Sequence, residues 1–215
     1  MNYRSIFAFL IVQILPGIIS AQVRPIVEFQ DGAKAKHFYQ VILKVNVKWL
    51  DAEKLATLQA HVDEGTILTG YLATISSWEE QQFLIREFGG DARLWIGGRK
   101  LKTGPNKEWE WRWVTGPEGL EVDGQGKLFW QWGAAEPGRV FNNAFQDWIL
   151  PDNVGFTGEP DDDRGHEEFL IWNFHSDNRG KDVPGVHGRL GLWNDYPNEG
   201  KRDGRPMGYI VEFGM

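Results

Sequence analysis

No cysteine occurs anywhere in the chain. Disulfide staples are thereby excluded, and an exported protein built this way must be held by its apolar core and by any metal it binds. Basic residues are also in deficit: 23 Lys and Arg face 30 Asp and Glu, for a net charge of −7. Binding a phosphate backbone needs a basic face, so the balance argues against nucleic acid and leaves cations and neutral ligands. Long apolar runs are missing after residue 21, which excludes a membrane-spanning helix in the body of the chain. No internal repeat appears, and no coiled-coil heptads precede the domain, so oligomeric state stays open. Nor is there a nucleophile elbow, a phosphate-cradling loop or a dinucleotide fingerprint.

What is present suits one globular domain: 215 residues, 41% hydrophobic and 25% charged, ample for a sizeable core. Residues 1–21 read as a secretory signal, with Arg4 in a short n-region, an apolar run from Ile6 to Ile19 broken only by Gln13, Pro16 and Gly17, then Ser20-Ala21. A short membrane anchor is the alternative. The expected location is secreted, extracellular or periplasmic. Because Arg4 is the leader's one charged residue, its removal takes the net charge from −7 to −8.

Residues 22–36 show no clear period and read as a linker or N-terminal arm, leaving 37–215 as the domain. His37 to Ile42 has the look of a first strand. From Trp49 to Val62, the spacing of Trp49, Ala52, Leu55, Ala56 and Gln59 predicts a helix, with Asp51 and Glu53 early as the helix dipole favours. Ser77-Trp78-Glu79-Glu80 is a capping box that opens a second helix, burying Phe83, Leu84 and Phe88 and stopping at Gly89-Gly90. Beyond it the pattern changes to strands and loops. Trp109, Trp111 and Trp113 alternate with Glu110 and Arg112, the period of a strand with one aromatic face, and Trp130 and Trp132 repeat it. Exposed tryptophans stack on sugars, but at strand spacing such rings belong to a core. Residues 133–158 and 173–192 read as long loops, while 169–172 and 209–213 read as strands. Two helices with short strands and long loops make an α+β arrangement.

One stretch stands apart chemically. Residues 159–168, Glu-Pro-Asp-Asp-Asp-Arg-Gly-His-Glu-Glu, hold six carboxylates with one arginine and one histidine between them. Folded together these groups repel unless a cation sits among them, and a hard cation that takes oxygen ligands, Ca2+ above all, suits the place. A solvated acidic loop is the plainer alternative.

The ordered set Gly70-Tyr71-Leu72-Ala73-Thr74-Ile75 before the capped helix, Trp95-Ile96-Gly97, Trp111 and Trp113, Glu159-Pro160-Asp161, Trp193-Asn194-Asp195 and Tyr209-Ile210-Val211-Glu212 resembles the C-type lectin family. The resemblance covers roughly His37 to the end. It implies a C-type lectin-like fold, α+β with two helices, small antiparallel sheets and long loops. Where the family carries cysteines this chain has Phe169 and Val211, whose apolar side chains would fill the volume of a buried disulfide; the run Trp113 to Glu118 looks like disulfide-free bacterial members. The resemblance further implies a Ca2+ ion held by Glu159, Asp161, Glu167, Asn194 and Asp195, with a cis bond before Pro160 turning Glu159 and Asp161 to one side. The same five residues would meet a carbohydrate, because an ion that takes six to eight oxygens keeps positions open for two vicinal hydroxyls. Sugar-binding members flank the proline with one acid and one amide, whereas both flanking residues here are acids, so only Asn194 is left to donate to a sugar oxygen. Glu159 points to the mannose class.

Asp162 and Glu168 match positions that supply an auxiliary calcium in some members. The loops 149–158 and 173–192 are longer than the family's and would wall the site. Glu136-Pro137-Gly138 reads as a turn, and His166, His175 and His187 fit no zinc spacing. The leading expectation is a secreted, non-enzymatic, Ca2+-dependent carbohydrate-binding domain. A C-type lectin-like module that recognises protein or another surface is the first alternative. A glycosidase using two carboxylates is the second, although a general acid needs an apolar setting that a crowd of carboxylates does not offer.

Overall fold

The computed structural model describes residues 21–89, 93–103, 108–132, 139–149, 158–172, 190–200 and 206–214. Residues 1–20 of the 1–21 segment read as a secretory signal, residues 136–138 read as a turn, His175, His187 and most of both stretches read as long loops lie outside the described residues. Among those described, no helix is long and apolar enough to cross a membrane.

Along the first half run β1 (Gln22–Val23), β2 (Val27–Gln30), β3 (Lys36–Leu43), α1 (Trp49–Ala56), β4 (Ala60–Asp63), β5 (Thr66–Thr69), β6 (Tyr71–Leu72) and α2 (Trp78–Phe88). The second half holds β7 (Leu94–Thr103), β8 (Glu108–Trp113), β9 (Lys127–Trp132), β10 (Arg139–Val140), β11 (Phe169–Trp172), β12 (Asn194–Tyr196) and β13 (Gly208–Phe213), with short helical turns at Gly116–Gly119, Glu121–Gly124 and Asp163–Gly165. One sheet follows the order β1-β3-β13-β7-β8-β9-β10, and β2, β6, β11 and β12 pair off that path. The arrangement is sheet-rich and mixed. It differs from the expected small antiparallel sheets because β13 lies antiparallel to β3 along its whole length and parallel to β7 at Gly208↔Leu94 and Tyr209↔Trp95, fusing two halves into one.

Three local readings change. The segment read as a linker or arm carries β1 and β2, both hydrogen-bonded to β3; β2 alternates half-buried and exposed side chains over only four residues, too short a run to show a period. The predicted helix from Trp49 to Val62 ends at Ala56, and β4 pairs with β5 instead. Glu64 and Gly65 both have positive φ, the two-residue turn that matches strand twist, and this hairpin wins over continued helix. On β8, Trp111 and Trp113 are buried as expected, but so are Glu110 and Arg112. Arg112 donates through Nε and Nη2 to Glu110 Oε2, both at 2.8 Å, and through Nη1 to the Gly126 carbonyl at 2.6 Å, so the charged face is covered because its charges are paired.

The core lies on both sides of β13. Phe169 and Val211 belong to one apolar cluster, with Phe169 against Trp49 at 4.8 Å between ring centroids. Apolar packing occupies the places where the family resemblance puts cysteines. At α2, the Ser77 side chain accepts the Glu80 N–H at 3.1 Å as the capping box requires. The returning arm is displaced by one residue: Glu80 Oε2 accepts from the Ser76 N–H at 2.8 Å, and Oε1 accepts from the Tyr39 hydroxyl at 2.6 Å.

Glu80 is therefore buried beside a second buried acid, Glu212, which accepts from the Thr74 N–H at 3.0 Å and meets His37 Nδ1 at 2.8 Å. Burial first, and the charge of Glu212 second, push the Glu80 carboxyl up to about 8 against the pull of its Tyr39 and Ser76 donors. His37 is also raised, by its bond to Glu212. Both groups hold protons more tightly folded than unfolded, so their contribution is full below the unfolded values and is lost as pH climbs, for Glu80 from its ordinary 4.5 to about 8. Glu80→Gln is expected to flatten the fall in thermal midpoint across this window; a slope equal to the parent's would show that Glu80 is ionised in the fold.

Candidate metal site

The site begins in the aromatic core. Trp193 is fully buried and meets Trp113, Phe129, Phe145 and Trp148 edge to face, with centroids 5.4 to 5.9 Å away. Its N–H donates to the Asp147 carbonyl at 2.8 Å, its carbonyl accepts from Ile149 N–H at 3.1 Å, and the Ile149 carbonyl in turn accepts from the Glu159 N–H at 2.9 Å. One short segment thus ties the start of the acidic loop to the Trp193-Asn194-Asp195 strand. Gln81 of α2 fixes both ends from below: its Nε2 donates to Asp147 Oδ2 at 2.7 Å and the Gly191 carbonyl at 2.6 Å, while its Oε1 accepts from Trp172 Nε1 at 3.0 Å. β12 is registered on β11 by Leu170↔Asp195 and Ile171↔Asn194.

From this frame, Asp195 reaches the acidic loop. Its Oδ1 accepts the Asp161 N–H at 3.1 Å and its Oδ2 accepts the Asp162 N–H at 3.0 Å. The Glu159-Pro160 bond is cis. One carboxylate oxygen from each of Glu159, Asp161 and Asp195 lies within 4.8 Å of the others. Glu167 is buried and its Oε2 accepts the Asp163 N–H at 2.8 Å; it stands outside that trio, although its charge is felt at Glu159. Asn194 is buried beside Asp195 in sequence, and its Oδ1 accepts no hydrogen bond; nor does Glu159 Oε2, also buried.

Burial is the largest influence on both Glu159 and Asp195, and it raises both carboxyls. The charges of Asp195, Asp161 and Glu167 push Glu159 further up. Crowded, largely shielded acids of this kind resist ionising together unless a cation offsets their charge. The trio thus offers acceptors with too few donors. Buried oxygens lacking donors, set among carboxylates and with no sulfur or imidazole in the group, fit a hard divalent cation such as Ca2+.

Of the five residues implied by the resemblance, the structure gathers Glu159, Asp161 and Asp195 as one group and sets Asn194 and Glu167 on the flanking strand and loop. The two residues matched to an auxiliary calcium have cationic neighbours. Asp162 forms an ion pair with Lys100, Glu168 lies 4.0 Å from Arg99 Nη2, and among the described residues neither joins a group of metal-binding size. Sequence reading missed Lys100 altogether. It stands between Arg99 and Lys102 in a strand that looks solvated, and nothing in that run marks one of three cations as buried. His166 is exposed.

No family model matches the chain. Halomucin of Haloquadratum walsbyi is 29% identical over 178 residues, 83% of this chain, and the chain spans about 1% of the length of that curated relative. Among solved structures, a mouse scavenger receptor C-type lectin carbohydrate-recognition domain is similar with a TM-score of 0.42 and 18% identity, covering 83% of this chain and 90% of that one.

Replacing one buried acid by its amide tests the charge balance directly. In chelator, Glu159→Gln gives Asp195 a permanently neutral neighbour that carries donors and never has to ionise among these acids, so the metal-free protein is expected to gain on the order of 1 kcal/mol of stability. A loss of that size would mean that the cluster is already balanced without a cation.

Proposed function

We propose that the protein is a non-enzymatic, exported domain that binds Ca2+ between the acidic loop and the Asn194-Asp195 strand and, through that ion, a carbohydrate. The observation that carries this reading is the group formed by Glu159, Asp161 and Asp195 together with the donor-free oxygens Glu159 Oε2 and Asn194 Oδ1. These are hard oxygen ligands converging from segments more than thirty residues apart, joined by the bonds of the Asp195 carboxylate to the Asp161 and Asp162 N–H groups. Asn194 and Glu167 would complete the set. When bound, the ion supplies positive charge and open coordination positions that two vicinal hydroxyls of a sugar can fill.

The chain's own groups would then do the selecting. Carboxylate oxygens of Glu159 and Asp161 accept from sugar hydroxyls, and Asn194 Nδ2 is the ligand-set donor to a sugar oxygen. With acids on both sides of Pro160, ion affinity is favoured over sugar affinity, and Glu159 inclines the site toward mannose-type hydroxyl pairs. The resemblance stated for Trp193-Asn194-Asp195 and Glu159-Pro160-Asp161 points the same way.

Separation of the acids supports binding over hydrolysis. Glycosidase carboxyls stand roughly 5 to 9.5 Å apart so that an anomeric carbon, or that carbon and a water, fits between them. One carboxylate oxygen of Glu159 and one of Asp195 lie within 4.8 Å of each other, closer than such a gap.

Calorimetric titration is expected to show Ca2+ binding that Asp195→Ala abolishes, and undiminished binding in that variant would remove the assignment. On a glycan array, signal is expected with calcium and not with chelator. Signal indifferent to chelator would turn the reading toward a lectin-like module that recognises its partner through another surface.

A further inference from the structure

Lys100 is 6% exposed, the one buried residue in the run from Arg99 to Lys102. A buried ammonium is costly unless it is paired, and this one is paired twice over. It forms an ion pair with Asp162 Oδ1 and stands 4.7 Å from the centroid of the Trp109 ring. Its backbone N–H donates to the Glu168 carbonyl at 2.9 Å, so β7 grips the acidic loop at both ends of the same residue.

The partner it holds is the hub of that loop. Asp162 has left-handed backbone angles, its N–H donates to Asp195 Oδ2 at 3.0 Å, its carbonyl accepts the Gly165 N–H at 2.8 Å, and its Oδ1 accepts the Glu167 N–H at 3.2 Å. Asp195 and Glu167 are two of the residues assigned to the ion. A single carboxylate therefore sets the path of the chain between them, and a fixed positive charge sits on that carboxylate.

We propose that Lys100 is a positioning residue, an internal counter-ion that holds the acidic loop in its ion-accepting shape before any ion arrives and limits the site to one divalent cation. The proposal rests on the calcium reading above. Its physical content is twofold. A fixed cation beside Asp162 offsets part of the repulsion among the loop's carboxylates, so the loop does not have to be ordered at the moment of binding. With Asp162 already neutralised and Arg99 near Glu168, a second divalent ion would have to settle beside an ammonium and a guanidinium.

The test compares parent protein, Lys100→Met, Lys100→Arg and Asp162→Asn, first in chelator and then with calcium. In chelator, hydrogen exchange at the amides of Asp161, Asp162, Asp163 and Glu167 is expected to speed up by at least about tenfold in Lys100→Met while the amides of β3 and β13 stay as they were. Lys100→Arg should restore most of the protection. Asp162→Asn, which keeps an acceptor for the Glu167 N–H but loses the charge, should reproduce the loosening. With calcium, the parent should bind one ion per chain, and Lys100→Met should bind it roughly tenfold more weakly, the size expected when a group supporting a metal ligand is removed. Unchanged loop exchange in Lys100→Met, equal loosening throughout the sheet, or two ions per parent chain would each overturn the proposal. Loop amides protected only when a cation stands at position 100, in a parent that binds no calcium, would overturn the calcium reading and leave the loop clamp standing.

Discussion

Both oxygens of Asp195 are committed to the backbone of the acidic loop, one to the Asp161 N–H and one to the Asp162 N–H, and the shape of the site depends on that pair of bonds. Asp195 can serve because the strand that carries it is well anchored: Trp193 packs among four aromatic rings, and Gln81 holds the approach to that strand through Gly191. A carboxylate on a rigid strand organises a loop that, by its own composition, would fly apart. The aromatic core is thus linked to the acidic group through hydrogen bonds.

The protein buries acids in two places and balances them differently. Around Glu80 and Glu212 the surroundings supply donors from the Tyr39 and Thr74 side chains, the Ser76 and Thr74 amides, and His37. That network closes on itself and serves the fold. Around Glu159 and Asp195 the donors among the described residues are two backbone amides, and buried oxygens are left over. The difference in donor supply separates a closed structural network from the candidate metal site, and counting acids alone would not reveal it.

Where the sequence carried a local physical signal, the structure follows it. Ser77 caps α2, Phe83, Leu84 and Phe88 turn inward, and Trp111 and Trp113 are core. Glu159, Asp161 and Asp195 meet, although only family resemblance joined segments so far apart in the chain. What escaped notice depends on tertiary partners. The strand character of residues 27–30 comes from pairing with β3, and the end of α1 at Ala56 from a hairpin whose Glu64-Gly65 turn competes with helix. Arg112 and Lys100 resemble solvated cations until Glu110 and Asp162 are seen beside them. Charge pairs of this kind have no periodicity, so no spacing rule finds them.

The position of β13 bears on how the molecule is assembled. Its neighbours on either side, β3 and β7, come from far earlier in the chain, and the bond between His37 and Glu212 joins residues 175 apart. Sheets of this connectivity cannot zip up from adjacent hairpins, because the middle must wait for a distant encounter whose loop-closure entropy comes due before any reward. With no cysteine to preserve that encounter, every unfolding erases it. Slow refolding, set by topology, is the kinetic signature this architecture carries.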